Sequence, residues 1–151
     1  MSKKFNDQTT KKFNEYIADL AVMSFKVYNI HWNAVGSDFY RVHMYTEEIF
    51  EETLEFMDQV AEHLVKFEIT PASTLKEYLE LATIKEIEPR PFECHEGLKI
   101  ILEDLEYLRD KATEIRSLSD EEDWFSAVAM IEDQVDVFNK RIWFLRAMST
   151  K

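Results

Sequence analysis

The chain has 151 residues, of which 46% are hydrophobic, and a formal net charge of −12. That length accommodates one domain with a substantial core, and the apolar content excludes a disordered acidic tail. The charge disfavours nucleic acid and anionic membrane as partners and favours cations.

Only two glycines and three prolines interrupt the chain, which predicts a few long helices and not many short strands. Phe13, Ile17, Leu20, Ser24, Val27 and His31 recur every three or four positions, marking one face of a first helix over about residues 9–33. Gly36 stops it, and Ser37-Asp38 offers a cap to a second helix over about residues 39–67, with Pro71 beyond. Thr74-Leu75-Lys76-Glu77 has the S/T-x-x-E form of a capping box and predicts a short helix over about residues 75–81. After Pro89 and Pro91, the series Leu98, Ile101, Leu102, Leu105, Leu108, Ala112 and Ile115 marks a third long helix. Ser119-Asp120-Glu121-Glu122 reads as a second capping box. It would open a fourth long helix along Val128, Ile131, Val135, Phe138, Ile142 and Leu145. Four long amphipathic helices predict an all-α four-helix bundle. The long second connection, with its own short helix, suits the crossover of a ferritin-like topology. One domain over residues 1–151 is expected, with a short tail over 1–8. The single cysteine, Cys94, provides no intrachain disulfide, and nothing in MSKKFNDQTTKKF resembles a signal peptide. A cytoplasmic protein is the default expectation.

On the second helix, His43, Glu47, Asp58 and Glu62 share one stripe. At 100° per residue they fall near ~0°, ~40°, ~60° and ~100°. Glu51 joins them, whereas Glu48 and Glu52 are expected on an opposite, solvated side. His43 and Glu47 are one turn apart, as are Asp58 and Glu62, but the two pairs are separated by roughly 16 Å of helix rise. One ion cannot touch both pairs on a single straight helix. Two copies of the helix, antiparallel about a twofold axis at the level of Glu52 and Thr53, would set each pair opposite the other. His31 lies on the apolar face of the first helix and points inward. Two imidazoles and three carboxylates suit iron, manganese or zinc. The residues alone leave two readings open: a metal site shared between subunits, or a core histidine beside a solvated acidic face.

The run HWNAVGSDFYRVHMYTEEIFEETLEFMDQVAEHL resembles the signature region of the Dps family, the ferritin-like DNA-protection-during-starvation proteins. The matching positions are His31-Trp32-Asn33, Gly36, Phe39, His43, Glu47 and the D-x-x-A-E motif from Asp58 to Glu62. TPASTLKEYLELATIKE is similar to the family's crossover, and Trp143-Phe144-Leu145-Arg146-Ala147 to its C-terminal WMLRA. The resemblance is densest over residues 28–86.

It implies a ferritin-like bundle, a hollow homo-dodecamer built from twofold dimers, and ferroxidase sites at the dimer interfaces. Carried over, His31, His43 and Glu47 come from one subunit and Asp58 and Glu62 from its partner. The implied reaction oxidises Fe(II), preferentially with hydrogen peroxide, and stores ferric mineral. Trp32 is expected either to take up stray oxidising equivalents or simply to pack at an interface. The chain also departs from the pattern. His63 replaces the usual Arg after D-x-x-A-E, which makes any salt bridge there weaker or pH-dependent. The glycines that usually follow the second helix are absent around Glu68-Ile69. Asp120 to Asp123 lie near where the family builds acidic pores, or are acids drawn to a helix N-terminus by its dipole.

Three other functions compete with this reading. An ordinary ferritin centre inside one bundle needs Glu-x-x-His motifs. Tyr28, Tyr40, Val60 and Phe92 stand three residues before the four histidines, so no such motif exists. Direct DNA binding is disfavoured by the charge, since Lys3, Lys4, Lys11 and Lys12 form the sole basic cluster. A shell without catalysis is disfavoured by the complete ligand set. Cys94, near a helix start, is expected to be a packed thiol with some scope for thiolate character.

Overall fold

The computed structural model describes residues 5–150. α1 (Asp7–Asn33) begins two residues ahead of the periodic signal, because Asn6 caps it by accepting the Gln8 N–H at 2.8 Å. Phe5, in front of the cap, is buried and stacks on Trp124 with ring centroids 3.7 Å apart. α1 ends at a turn in which Gly36 takes φ +125°, a conformation that side chains rarely adopt. α2 (Phe39–Lys66) follows. Asp38 occupies its N-cap position but makes no capping bond; its carboxylate pairs with Arg41 at 3.1 Å instead.

Within that turn, Ala34–Val35 (β1) pairs in parallel with Phe92–Glu93 (β2), which leads straight into α4 (Cys94–Glu121). The exit of α1, the entry of α2 and the entry of α4 therefore lie at one end of the bundle, and α2 and α4 run the same way. The connection between them must travel the length of the molecule. It carries α3 (Leu75–Leu81), which packs against α1 and has the expected capping box between Thr74 and Glu77. At the opposite end Phe5, Phe67 and Trp124 meet beneath the entry to α5 (Phe125–Ser149). The result is the all-α, up-down-down-up bundle expected for a ferritin-like fold. Among the described residues, no helix is long and apolar enough to cross a membrane.

The boundary between α4 and α5 differs from expectation. Ser119 does not cap α5; it lies in the last turn of α4, buried, and its carbonyl accepts the N–H groups of Glu122 and Trp124. With Asp123 in the left-handed region (φ 55°), the bonds from Asp123 N–H to Asp120 O and from Trp124 N–H to Ser119 O form a Schellman closure. The acids from Asp120 to Asp123 thus crowd a helix C-terminus, where the dipole opposes them. α2 ends the same way: Glu68 (φ 61°) stands where a glycine is usual, and Ile69 N–H reaches Leu64 O at 3.0 Å.

The interior is apolar with a few satisfied polar links. Ser24 and Thr53 share a hydrogen bond of 2.7 Å, and Tyr16 donates to Gln134, which donates to Gln59. Asp19 is the one buried carboxylate among the described residues. It accepts from Lys111 (2.8 Å), Thr83 N–H (2.6 Å) and Ile84 N–H (2.8 Å), tying the crossover to α1 and α4. An acid so occupied is unavailable for a metal centre inside the bundle.

Candidate metal centre

His31 sits in the last turns of α1 and His43 in the first turns of α2, and the tight Gly36 turn brings them face to face. Their rings stack with centroids 3.7 Å apart and planes 16° off parallel. The two residues are cross-stitched. His31 Nδ1–H donates to His43 O at 2.7 Å, and His43 Nδ1–H donates to His31 O at 2.9 Å. A carbonyl oxygen only accepts, so each of these bonds forms only when its Nδ1 carries the hydrogen, and that tautomer leaves both Nε2 lone pairs for a ligand. His31 is buried and His43 half-buried. Burial, then the neighbouring His43, holds the His31 pKa below its ordinary value, against the backbone bond and the Glu47 charge that raise it. His31 is therefore neutral near pH 7, which is the ligating form.

Glu47 lies one turn beyond His43, close enough for its charge to act on His31. Asp58 and Glu62 are exposed and further along α2. No described residue forms an ion pair with Glu47, Asp58 or Glu62. Glu48 and Glu52, by contrast, are not a free solvated side: both hold Arg141 of α5, at 3.1 Å and 3.0 Å. The fold thus brings His31 and His43 into contact, sets Glu47 nearby and leaves Asp58 and Glu62 apart. Among the described residues of one chain, no three His, Cys, Asp or Glu side chains are grouped to hold a metal ion.

Thr46 and an aromatic chain complete the surroundings of the pair. Thr46, fully buried, places Oγ1 2.9 Å from His31 Nδ1. Phe50 meets the His31 ring edge-on at 5.1 Å and stacks on Tyr28 at 3.8 Å; Tyr28 stacks in turn on exposed Trp32 at 5.1 Å. Helical spacing from His31 would have found Tyr28, but nothing in the sequence singles out Phe50 from other core aromatics. Exposed Phe25, Leu75 and Leu79 line an apolar groove of ≈ 250 Å³ between α1 and α3.

His63 makes no salt bridge with any described residue. It is buried among Phe13, Phe67 and Trp124, and burial, reinforced by Lys66, lowers its pKa to about 4. Cys94 is a packed thiol: it donates to Val35 O at 3.2 Å, and burial raises its pKa. Lys12 is engaged by Glu15 and Glu114, while Lys3 and Lys4 lie outside the described residues.

The ferritin-like domain family matches residues 10–151. The DNA protection during starvation protein of Helicobacter pylori is 36% identical, over 86% of this chain and 90% of its own length. That of Listeria innocua is 34% identical, over 99% of this chain and 97% of its own. A crystal structure of Dps from Listeria innocua superposes with a TM-score of 0.89 at 31% identity, covering 93% of each chain. The match spans nearly the whole chain in both sequence and fold, and the chain belongs to the Dps family of ferritin-like proteins.

Proposed function

We infer that this protein is a cytoplasmic ferroxidase and iron store that protects against oxidative damage, assembled from twofold dimers into a hollow dodecamer. The observation that carries the reading is the stacked His31–His43 pair, with both Nδ1 atoms committed to carbonyls and both Nε2 atoms free. It is half of a ligand set, because its complement on the same helix stripe, Asp58 and Glu62, is out of reach within one chain. An antiparallel α2 pair completes it. At the level of the twofold, Thr53 is bonded to Ser24 and Glu52 to Arg141, so Glu51, Leu54 and Glu55 form the face turned outward.

In this reading Fe(II) is the substrate. Glu47 and the partner's Asp58 and Glu62 supply anionic oxygens that favour the ferric product, and the imidazoles fix geometry. Two Fe(II) ions give two electrons to one H₂O₂, which takes up two protons and leaves as two waters; no hydroxyl radical is released. The preference for peroxide rests on family resemblance. Trp32, exposed and linked to His31 through Tyr28 and Phe50, stands where it would intercept a stray oxidising equivalent. Direct DNA binding is not expected: twelve chains of charge −12 repel phosphate, and Lys12 is already ion-paired.

The test is anaerobic loading with Fe(II) followed by a peroxide pulse, recording ferric absorbance and peroxide consumed. About one peroxide per two Fe(II) is expected. Separate His31→Ala and Asp58→Asn variants should each slow oxidation by at least about tenfold. Wild-type rates in both variants would remove these residues from the site.

A further inference from the structure

On the metal-centre reading above, we propose that Thr46 is a positioning residue that locks His31 in its metal-binding tautomer. Thr46 lies on α2, three residues past His43, and is fully buried. Its Oγ1 stands 2.8 Å from Val42 O and 3.0 Å from His43 O. Both are carbonyl oxygens, so the one hydroxyl proton goes to a carbonyl. Towards His31 Nδ1, at 2.9 Å, the hydroxyl can then only accept.

The His31 N–H is therefore shared between two acceptors, His43 O and Thr46 Oγ1. If the proton moved to Nε2, a bare Nδ1 lone pair would face a carbonyl oxygen at 2.7 Å. The threonine hydroxyl would also have to abandon its carbonyls to compensate. Both changes are unfavourable in a buried site. His43 has no such reinforcement, since among the described residues its Nδ1 meets His31 O alone. A buried helical threonine ordinarily spends its hydroxyl on the carbonyl of the preceding turn. Here the same group also reaches an imidazole on a different helix, and that second contact is what the back-bond does not explain.

The experiment compares wild type, Thr46→Val and Thr46→Ser as assembled proteins. ¹⁵N-histidine solid-state NMR on metal-free samples reads the tautomer, and titration with Zn(II) reads the affinity of the site. Wild type and T46S should show His31 protonated at Nδ1 and bare at Nε2, with Zn(II) affinities within about twofold of each other. T46V, which keeps the shape but loses the acceptor, should show a population protonated at Nε2 and bind Zn(II) about tenfold more weakly. Unchanged tautomer and affinity in T46V would overturn the proposal. So would a wild-type His31 protonated at Nε2, a result that stands even if T46V does not fold. Absence of Zn(II) uptake by wild type would overturn the metal centre itself and the proposal with it. That outcome is distinct from intact wild-type binding beside an unaltered T46V.

Discussion

His63 shows how one position on α2 can be turned from chemistry to structure. Its neighbour Glu62 is exposed on the stripe shared with Asp58, whereas His63 points into an aromatic cage that cannot solvate a charge. Burial holds its folded pKa at about 4, below the value of 6.5 expected in the unfolded chain. Between those values the unfolded state binds the extra proton. Stability is therefore complete above pH 6.5 and falls as pH drops towards about 4, by on the order of 3 kcal/mol per subunit. Chemical denaturation at fixed protein concentration from pH 7 to pH 4 should show that decline, and His63→Phe should flatten it. Equal slopes in the two proteins would exclude His63 as the source. The same local detail governs the candidate site, where the bonds from His31 and His43 to each other's carbonyls engage Nδ1 and leave Nε2 for a ligand.

The helices carry their boundaries unevenly in the sequence. α3 was legible because Thr74 and Glu77 satisfy each other's backbone N–H, a local bond that leaves a local pattern. The stripes of α1, α2 and α4 were legible because their apolar faces meet one core. The α4–α5 junction was not, because Ser-x-x-Glu reads the same in the last turn of a helix as ahead of a first turn. There the helix runs on to Glu121, and buried Trp124 stands at the N-cap position of α5. The two-residue strands β1 and β2 are too short for any periodicity. Asp123 marks the junction with an unfavourable backbone, at φ 55°, and a negative charge at a helix C-terminus. Asp123→Gly relieves both and should stabilise the protein by about 1 kcal/mol, read as a higher denaturant midpoint. An unchanged or lower midpoint would show that the acid is held there by contacts outweighing its strain.

For the molecule as a whole, the fold and the family were readable from spaced motifs, while the ligand set of the proposed site was readable only as an incompleteness. The roughly 16 Å between Glu47 and Asp58 on one helix demands a second copy or a second function. Thr46 and Phe50 stayed illegible because their roles arise where α2 meets α1, and neither breaks the helical pattern. In the proposed function each site draws on two subunits. Co-assembly tests it most directly, with one chain carrying His31→Ala and His43→Ala and the other Asp58→Asn and Glu62→Gln. Each variant alone should be inactive in Fe(II) oxidation by peroxide. In a random mixture half the dimers are mixed, and each mixed dimer rebuilds one of its two sites. Activity should therefore return to about one quarter of wild type. A mixture as inactive as its components would contradict a site shared across the dimer.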